Sequence, residues 1–137
     1  IISSLENDGY KAMHAKLVTN STRENPRPCQ LSVEEWLRGI YDAELVVTDS
    51  FHACVFSIIF KKPFIALGNK TRGNTRFDSL FETFDLQDRH VVSYDAYVEK
   101  KDWLKGTFDT TRIECLLQKQ REKSVFFLSC IKNEIID

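Results

Sequence analysis

Two short apolar runs, residues 45–47 and 65–67, constrain the fold of this chain more than any other feature. Neither run alternates with polar residues, which is typical of strands buried on both faces of a parallel sheet. Parallel neighbours must be joined by a crossover of about a dozen residues or more, usually a helix. We therefore predict a strand, a helix over residues 52–61 that ends before Pro63, and a second parallel strand.

The polar residues of this unit fall at the ends of the predicted strands, where α/β proteins bind their ligands. Either Asp49 or Ser50 can cap the helix, which places His52 in the first turn beside free backbone N–H groups. Such a turn suits an anion, and a histidine that titrates near neutrality suits proton transfer. A simpler interpretation is that Asp49 and Ser50 only cap the helix and that His52 only bonds a backbone carbonyl.

A basic stretch follows the second predicted strand. Lys70, Arg72 and Arg76 lie there with Gly73, and arginine is the preferred partner for planar contact with carboxylate and phosphate. We predict that at least one of the two arginines binds an anionic ligand near the His52 turn. The alternative is a loop of solvated cations, which is where most lysines and arginines lie.

A capping box, Ser32-Val-Glu-Glu35, predicts another helix ahead of the first strand. Trp36 lies on its apolar face and is expected to pack in the core rather than stack on a ligand. The apolar face comprises Val33, Trp36, Leu37 and Ile40.

Further elements are predicted along the rest of the chain. Residues 1–9 resemble the end of a helix, residues 15–18 form the compact apolar part of a strand, and Val91 and Val92 suggest a third strand. Capping-box patterns at Ser79 and Thr111 predict a short helix through Phe84 and a long last helix. The last helix carries an apolar stripe that can pack on its own sheet or partly on another domain, formed by Ile113, Leu116, Leu117, Phe127, Leu128, Ile131 and Ile135.

Composition excludes several classes of protein. The formal net charge of −1 provides no polybasic face, so a nucleic-acid partner is not expected. Lys61 and Lys62 interrupt the longest apolar stretch, so no transmembrane segment is predicted and any membrane contact must be peripheral. The four cysteines show no metal-ligand spacing, which indicates a reduced cytoplasmic protein without a metal site.

About two-thirds of the chain resembles a known family. The resemblance rests on residues 32–37, 43–52, 56–60, 62–64 and 72–89, which look like the C-terminal half of the polysaccharide pyruvyl transferases. It implies an α/β fold, a Rossmann-like parallel sheet with helices on both faces, as one half of a GT-B-like two-domain enzyme. Residues 1–137 would then be a single C-terminal domain of a longer chain, with the N-terminal half of the same enzyme absent.

The resemblance also implies an activity. Members of this bacterial family transfer a pyruvyl group from phosphoenolpyruvate to a pair of sugar hydroxyls as a ketal, in cell-envelope or exopolysaccharide biosynthesis. The expected partners are phosphoenolpyruvate and a saccharide or lipid-linked saccharide acceptor, with no cofactor and no metal. The expected location is the cytoplasm, either free or peripheral at the inner membrane.

Site residues follow from the resemblance position by position. His52 is the expected catalytic residue, and Asp49 is expected to orient it or to cap its helix. The expected substrate-binding residues are Ser50, Asn69, Lys70, Arg72 and Arg76. Many family members carry an arginine two residues before the motif histidine, where this chain has Ser50, so either Arg72 or Arg76 replaces that charge or the donor is held differently.

Two other functions fit the same segments. A GT-B-type nucleotide-sugar glycosyltransferase would need a carboxylate to bind ribose, and Glu82 is the candidate. A non-catalytic ligand-binding module would keep the fold without the family arginine. Binding of phosphoenolpyruvate or of a nucleoside diphosphate would separate these possibilities from the pyruvyl transferase.

Overall fold

The computed structural model of the protein describes residues 1–13, 31–68, 75–105 and 108–134. A short 3₁₀ turn at Gln87–Arg89 precedes the last strand. The other elements, in chain order, are α1 (Ile2–Asn7), α2 (Val33–Asp42), β1 (Val46–Thr48), α3 (Phe51–Ile59), β2 (Phe64–Leu67), α4 (Thr75–Phe84), β3 (His90–Val91), α5 (Tyr94–Lys105) and α6 (Thr110–Glu134).

The three strands form one parallel sheet in the order β1-β2-β3. Val46 pairs with Phe64 across β1 and β2, and Ala66 pairs with His90 across β2 and β3. Helices α3 and α4 supply the two crossovers, which confirms the predicted strand–helix–strand unit. The fold is therefore α/β, with a small parallel sheet flanked by helices.

Helices cover both faces of this sheet because successive strand residues point to opposite sides. On one face, side chains of α3, α4 and α6 pack against Phe64 and Ala66 of β2. On the other face, Ile65 packs with Tyr97 and Leu104 of α5. The helix residues buried on the first face are Cys54, Ile58, Phe81, Phe84, Ile113 and Leu117.

The two predicted strands differ in burial. Phe64, Ile65 and Ala66 of β2 are fully buried, as predicted for a strand with neighbours on both sides. Residues of β1 are only half-buried. The prediction that β1 is buried on both faces is therefore wrong.

Local patterns set several helix ends correctly. Ser32 and Glu35 form the predicted capping box, with hydrogen bonds of 2.9 and 3.1 Å between each side chain and the other residue's backbone N–H. Helix α3 ends at Ile59, ahead of Pro63. Between them, Lys61 has a left-handed backbone conformation with a φ of 55°. Trp36 packs edge-on against Phe56 of α3, as expected of a core residue, whereas Val33 is exposed.

Two predicted helix starts are wrong. Helix α4 begins at Thr75 rather than at Ser79, whose carbonyl oxygen accepts a hydrogen bond from the Thr83 hydroxyl inside the helix. Helix α6 begins at Thr110, and the carboxylate of Asp109 accepts a hydrogen bond from the backbone N–H of Arg112. Arg76 therefore lies in the first turn of a helix and not in a loop.

Arg89, just before β3, contacts the end of α5 and the segment that follows it. Its guanidinium donates a hydrogen bond of 2.7 Å to the carbonyl oxygen of Leu104 and lies 5.1 Å from the ring centroid of Phe108. The side chain is buried, and burial lowers the pKa of this arginine from its usual value. Arg89 therefore has a structural role, since it joins the 3₁₀ turn to the end of α5.

The predicted strand at residues 15–18 lies outside the described residues. The predicted helix end falls within residues 1–9, where the structure has the short helix α1. No helix in the described parts of the chain is long and apolar enough to cross a membrane.

Candidate functional site

Two side-chain hydroxyls, one of a threonine and one of a serine, stabilise the turn between β1 and α3. The Thr48 hydroxyl accepts a hydrogen bond of 3.0 Å from the backbone N–H of Ser50. The Ser50 hydroxyl in turn accepts one of 3.4 Å from the backbone N–H of Ala53, which makes Ser50 the N-cap of α3. Of the two predicted caps, Ser50 is therefore the one used, and Asp49 is exposed beside it.

His52 lies in the first turn of α3, as predicted. Its side chain is exposed and meets the ring of Phe51 edge-on at 6.0 Å between centroids. No hydrogen bond joins His52 to Asp49, although both residues are described, so an orienting role for Asp49 stays a prediction. The imidazole is thus open to solvent at the positive end of a helix that follows a parallel strand.

The ring of Phe51 also contacts two residues in the first turn of α4. The ring of Phe77 meets it nearly perpendicularly at 5.8 Å, and the guanidinium carbon of Arg76 lies 5.6 Å from its centroid. The structure therefore brings His52 and Arg76 to the same aromatic ring, although 24 positions separate them in the sequence. Asn69, Lys70 and Arg72, with Gly73, lie outside the described residues, and their roles stay predictions.

This arrangement has the chemistry of an anion site with a proton-transfer group. Helices α3 and α4 begin close to one another, so their partial positive charges add to the charge of Arg76. The exposed His52 can donate or accept a proton there. Within the described ranges, no group of three or more histidine, cysteine, aspartate or glutamate side chains could hold a metal ion.

Cys54, two residues after His52, does not add a nucleophile to this site. It is fully buried, and burial together with the Asp49 carboxylate raises the pKa of its thiol to about 12. A thiolate is the reactive form of cysteine, so at neutral pH Cys54 behaves as a small apolar core residue.

Comparison with known proteins identifies the family of this chain. The sequence profile described as polysaccharide pyruvyl transferase matches residues 3–71, which is just over half of the chain. The chain belongs to the polysaccharide pyruvyl transferase family. Neither the curated proteins nor the solved structures gave a match.

The matched range contains the β1–α3 turn and reaches the beginning of the predicted basic stretch. It includes His52 and its cap Ser50, together with Asn69 and Lys70, and it stops before Arg72 and Arg76. For this pyruvyl transferase family member, the geometric link between Arg76 and His52 through Phe51 is therefore an observation independent of the match.

A second histidine, His90, adjoins the site. His90 begins β3, but its side chain is only 12% exposed. Its ring stacks on Phe77 at an interplanar angle of 15°, and its Nδ1 lies 4.0 Å from a carboxylate oxygen of Asp78. Its Nε2 is buried without a hydrogen-bond partner.

The absence of a side chain at Gly68 makes room for His90. A Cβ atom added to Gly68, just past the end of β2, would lie 2.7 Å from His90 Nε2. His90 therefore wedges between the end of β2 and Phe77, and Phe77 contacts the Phe51 ring that His52 and Arg76 share. No local pattern could reveal this wedge, because its members come from separate elements of the fold.

Proposed function

We propose that this chain forms one half of an enzyme that transfers a pyruvyl group from phosphoenolpyruvate to a pair of sugar hydroxyls as a ketal. The proposal follows the family to which the chain belongs, whose name gives pyruvyl transfer on polysaccharides. The observation that carries it is the position of His52, exposed in the first turn of α3 within the matched range.

The reaction needs three proton transfers and one leaving group. A sugar hydroxyl adds to the C2 atom of phosphoenolpyruvate and loses its proton, while C3 gains a proton and becomes a methyl group. Phosphate then leaves C2 with the electrons of its C–O bond, and the second hydroxyl attacks C2 and releases its proton. The products are the cyclic ketal and inorganic phosphate.

His52 supports this chemistry as general acid or base. An imidazole can accept the hydroxyl proton or deliver a proton to C3. It belongs to the first turn of α3, where the helix dipole favours the anionic donor. Proton transfer by a positioned side chain typically contributes about 10²–10⁴-fold to the rate.

Arg76 is the described candidate for holding the donor. Phosphoenolpyruvate carries a carboxylate and a phosphate, and a guanidinium can bind either group through two parallel hydrogen bonds. Arg76 lies against the same ring as His52 and is exposed, so a ligand can reach it. We propose that it acts with Lys70, Arg72 and Asn69, and that it supplies the charge absent at Ser50.

We propose that the acceptor binds mainly to another part of the enzyme. Residues 1–137 would be the C-terminal Rossmann-like half of a GT-B-like pair, with the acceptor saccharide, free or lipid-linked, bound mainly by the N-terminal half. We propose a bacterial, cytoplasmic enzyme of cell-envelope or exopolysaccharide biosynthesis on this basis. A half-site cannot position both substrates, so residues 1–137 alone should show no turnover.

The direct test is donor consumption by the full-length enzyme. With phosphoenolpyruvate and a bacterial polysaccharide acceptor, we expect phosphate release matched by a pyruvyl ketal detected by NMR. His52→Ala should lower kcat about 10²–10⁴-fold and leave the unfolding midpoint unchanged, because the side chain is exposed. His14→Ala is the matched control and should retain activity.

Two results would overturn the proposal. Consumption of a nucleotide sugar without use of phosphoenolpyruvate would identify a glycosyltransferase instead. Equal activity of the His52→Ala and His14→Ala variants would show that His52 takes no part in proton transfer.

A further inference from the structure

His90 is a costly residue at its position in the core. Its side chain is only 12% exposed, and its Nε2 is buried without a hydrogen-bond partner among the described residues. A leucine would fill the same space without an unpaired buried nitrogen, which lowers the stability of a fold. Space filling beside Gly68 alone therefore does not explain the imidazole.

The contacts of the His90 ring lead to the first turn of α4. The ring stacks on Phe77, with the two planes 15° apart and the centroids 5.9 Å apart. Its Nδ1 lies 4.0 Å from a carboxylate oxygen of Asp78. Phe77 and Asp78 are consecutive residues, so a single side chain of β3 contacts two neighbouring positions of this turn.

Arg76 directly precedes these two residues. Its guanidinium carbon lies 5.6 Å from the centroid of Phe51, and the Phe51 ring meets Phe77 at 5.8 Å. An exposed arginine has many rotamers, so its direction depends on the backbone that carries it and on the surface beside it. For Arg76 these are the α4 turn and the Phe51 ring, and both are in contact with Phe77, which packs on His90.

The sheet holds His90 in place. His90 pairs with Ala66 of β2, and the backbone N–H of Gly68 donates a hydrogen bond of 2.8 Å to the carbonyl oxygen of Val91. Phe81 of α4 contacts the imidazole as well, at 5.6 Å between centroids. Because packed interiors have low compressibility, a ring confined in this way fixes the position of its neighbours.

We propose that His90 is a positioning residue, which holds the first turn of α4 so that Arg76 is directed at the anionic donor. The inference rests on the proposed function, since it assigns the carboxylate or phosphate of phosphoenolpyruvate to Arg76. His90 is largely buried and Arg76 is exposed, so the donor meets Arg76 and not His90. Loss of His90 should therefore weaken donor binding and leave the proton transfers unaffected.

The first test is a double-mutant cycle on the full-length enzyme, with phosphoenolpyruvate as the varied substrate. His90→Ala should raise the KM for phosphoenolpyruvate about fivefold and change kcat by less than about twofold. In the Arg76→Ala background, His90→Ala should change this KM by less than about twofold, because the guanidinium that His90 positions is already gone.

Two further variants separate positioning from stability. His90→Leu fills the space without an unpaired nitrogen, so the urea midpoint should not fall. Its KM should still rise at least about threefold, because leucine neither stacks flat on Phe77 nor presents a polar atom to Asp78. Leu104→Ala is the control on the opposite face of the sheet, and it should lower the midpoint but leave the KM unchanged. If His90→Ala does not fold, His90→Leu takes its place in the cycle.

NMR of the full-length enzyme with labelled arginine follows the position of Arg76 without using the reaction. The ring current of Phe51 should displace the Cδ proton signals of Arg76, which are assigned by their absence in Arg76→Ala. This displacement should shrink in His90→Ala and persist in Leu104→Ala. If the enzyme does not use phosphoenolpyruvate but the Arg76 signals respond in this way, the proposed function fails and the positioning of Arg76 by His90 is confirmed.

Four results would overturn the inference. Equal effects of His90→Ala on the KM with and without Arg76 would show that His90 acts elsewhere. An unchanged KM in His90→Leu would show that His90 only fills space. An equal rise of the KM in Leu104→Ala would attribute the effect to lost stability, and Arg76 signals that stay in place in His90→Ala would show that His90 does not position this side chain.

Discussion

Gly68→Ala tests the wedge that connects the sheet to the candidate site. Gly68 follows β2, and its backbone N–H donates a hydrogen bond of 2.8 Å to the carbonyl oxygen of Val91. The added methyl group would lie 2.7 Å from His90 Nε2 and 2.8 Å from Val92 Cγ1. Both distances are shorter than van der Waals contact, so a neighbour must move.

The two neighbours differ in how easily they can move. Val92 is 47% exposed and can rotate into solvent. The His90 ring is held by the stack on Phe77 and by Phe81, 5.6 Å away, so its displacement disturbs the core. Overpacking of this kind costs about 1–3 kcal/mol, and alanine recovers about 0.4–1 kcal/mol through the unfolded state. We expect a net loss of about 1–2 kcal/mol in the free energy of unfolding.

Urea denaturation of the 137-residue chain measures this loss. Gly39→Ala is the matched control, because a Cβ at Gly39 in α2 would meet only Met13 Cε, at 3.9 Å. That variant should gain about 0.5–1 kcal/mol, since glycine is a poor residue inside a helix. If Gly68→Ala stabilises the chain as Gly39→Ala does, His90 does not fill the space beside Gly68.

A double-mutant cycle isolates the contact itself. In the His90→Ala background only the exposed Val92 still adjoins the added methyl group, so Gly68→Ala should cost about 1 kcal/mol less than in the original chain. Additive effects of the two substitutions would refute the wedge.

Three further predictions concern single residues. The thiol of Cys54, with its pKa of about 12, should resist alkylation at pH 8 while the exposed Cys115 and Cys130 react, and equal rates would contradict its burial. Because an unfolded cysteine ionises near pH 8.5, this raised pKa stabilises the fold below that pH, and the contribution should be lost as the pH rises towards 12 in an alkaline titration. Ser32→Ala should lower the free energy of unfolding by about 1 kcal/mol through loss of the N-cap, measured by urea denaturation, and Ser32→Thr should largely retain it. In the full-length enzyme, Arg76→Ala should raise the KM for phosphoenolpyruvate about tenfold with little change for the acceptor, and Arg76→Lys should also raise it, whereas unchanged kinetics would make Arg76 a solvated cation.

Elements specified by local chemistry could be predicted from the sequence. The box at Ser32 needs only four neighbouring residues to form two hydrogen bonds, and it is present as predicted. The strand–helix–strand unit depends on the pattern of apolar residues over a short stretch, and β1, α3 and β2 lie within two residues of their predicted positions.

Other elements depend on contacts that local patterns do not contain. The start of α4 was assigned to a capping pattern at Ser79, although Phe77, Phe81 and Phe84 recur at helical spacing and pack on the core. That apolar spacing was the better signal, because burial of these rings outweighs a cap worth about 1 kcal/mol. The half-buried state of β1 depends on what packs against its faces, which the sequence of a single strand does not reveal.

The candidate site also has one part that local sequence predicts and another that it does not. His52 could be placed because its turn follows a recognisable strand and a serine cap. The contact of Arg76 with Phe51, and the wedge of His90 beside Gly68, could not be predicted, because each joins residues of different elements.

NMR of the full-length enzyme can test whether His52 lies at a binding site for phosphoenolpyruvate. Titration with phosphoenolpyruvate should shift the imidazole signals of His52 saturably, leave those of His14 unchanged, and show no such effect with a nucleoside diphosphate. A response to the nucleoside diphosphate alone, or no response of His52 to phosphoenolpyruvate at saturating donor, would show that His52 does not lie at a phosphoenolpyruvate site.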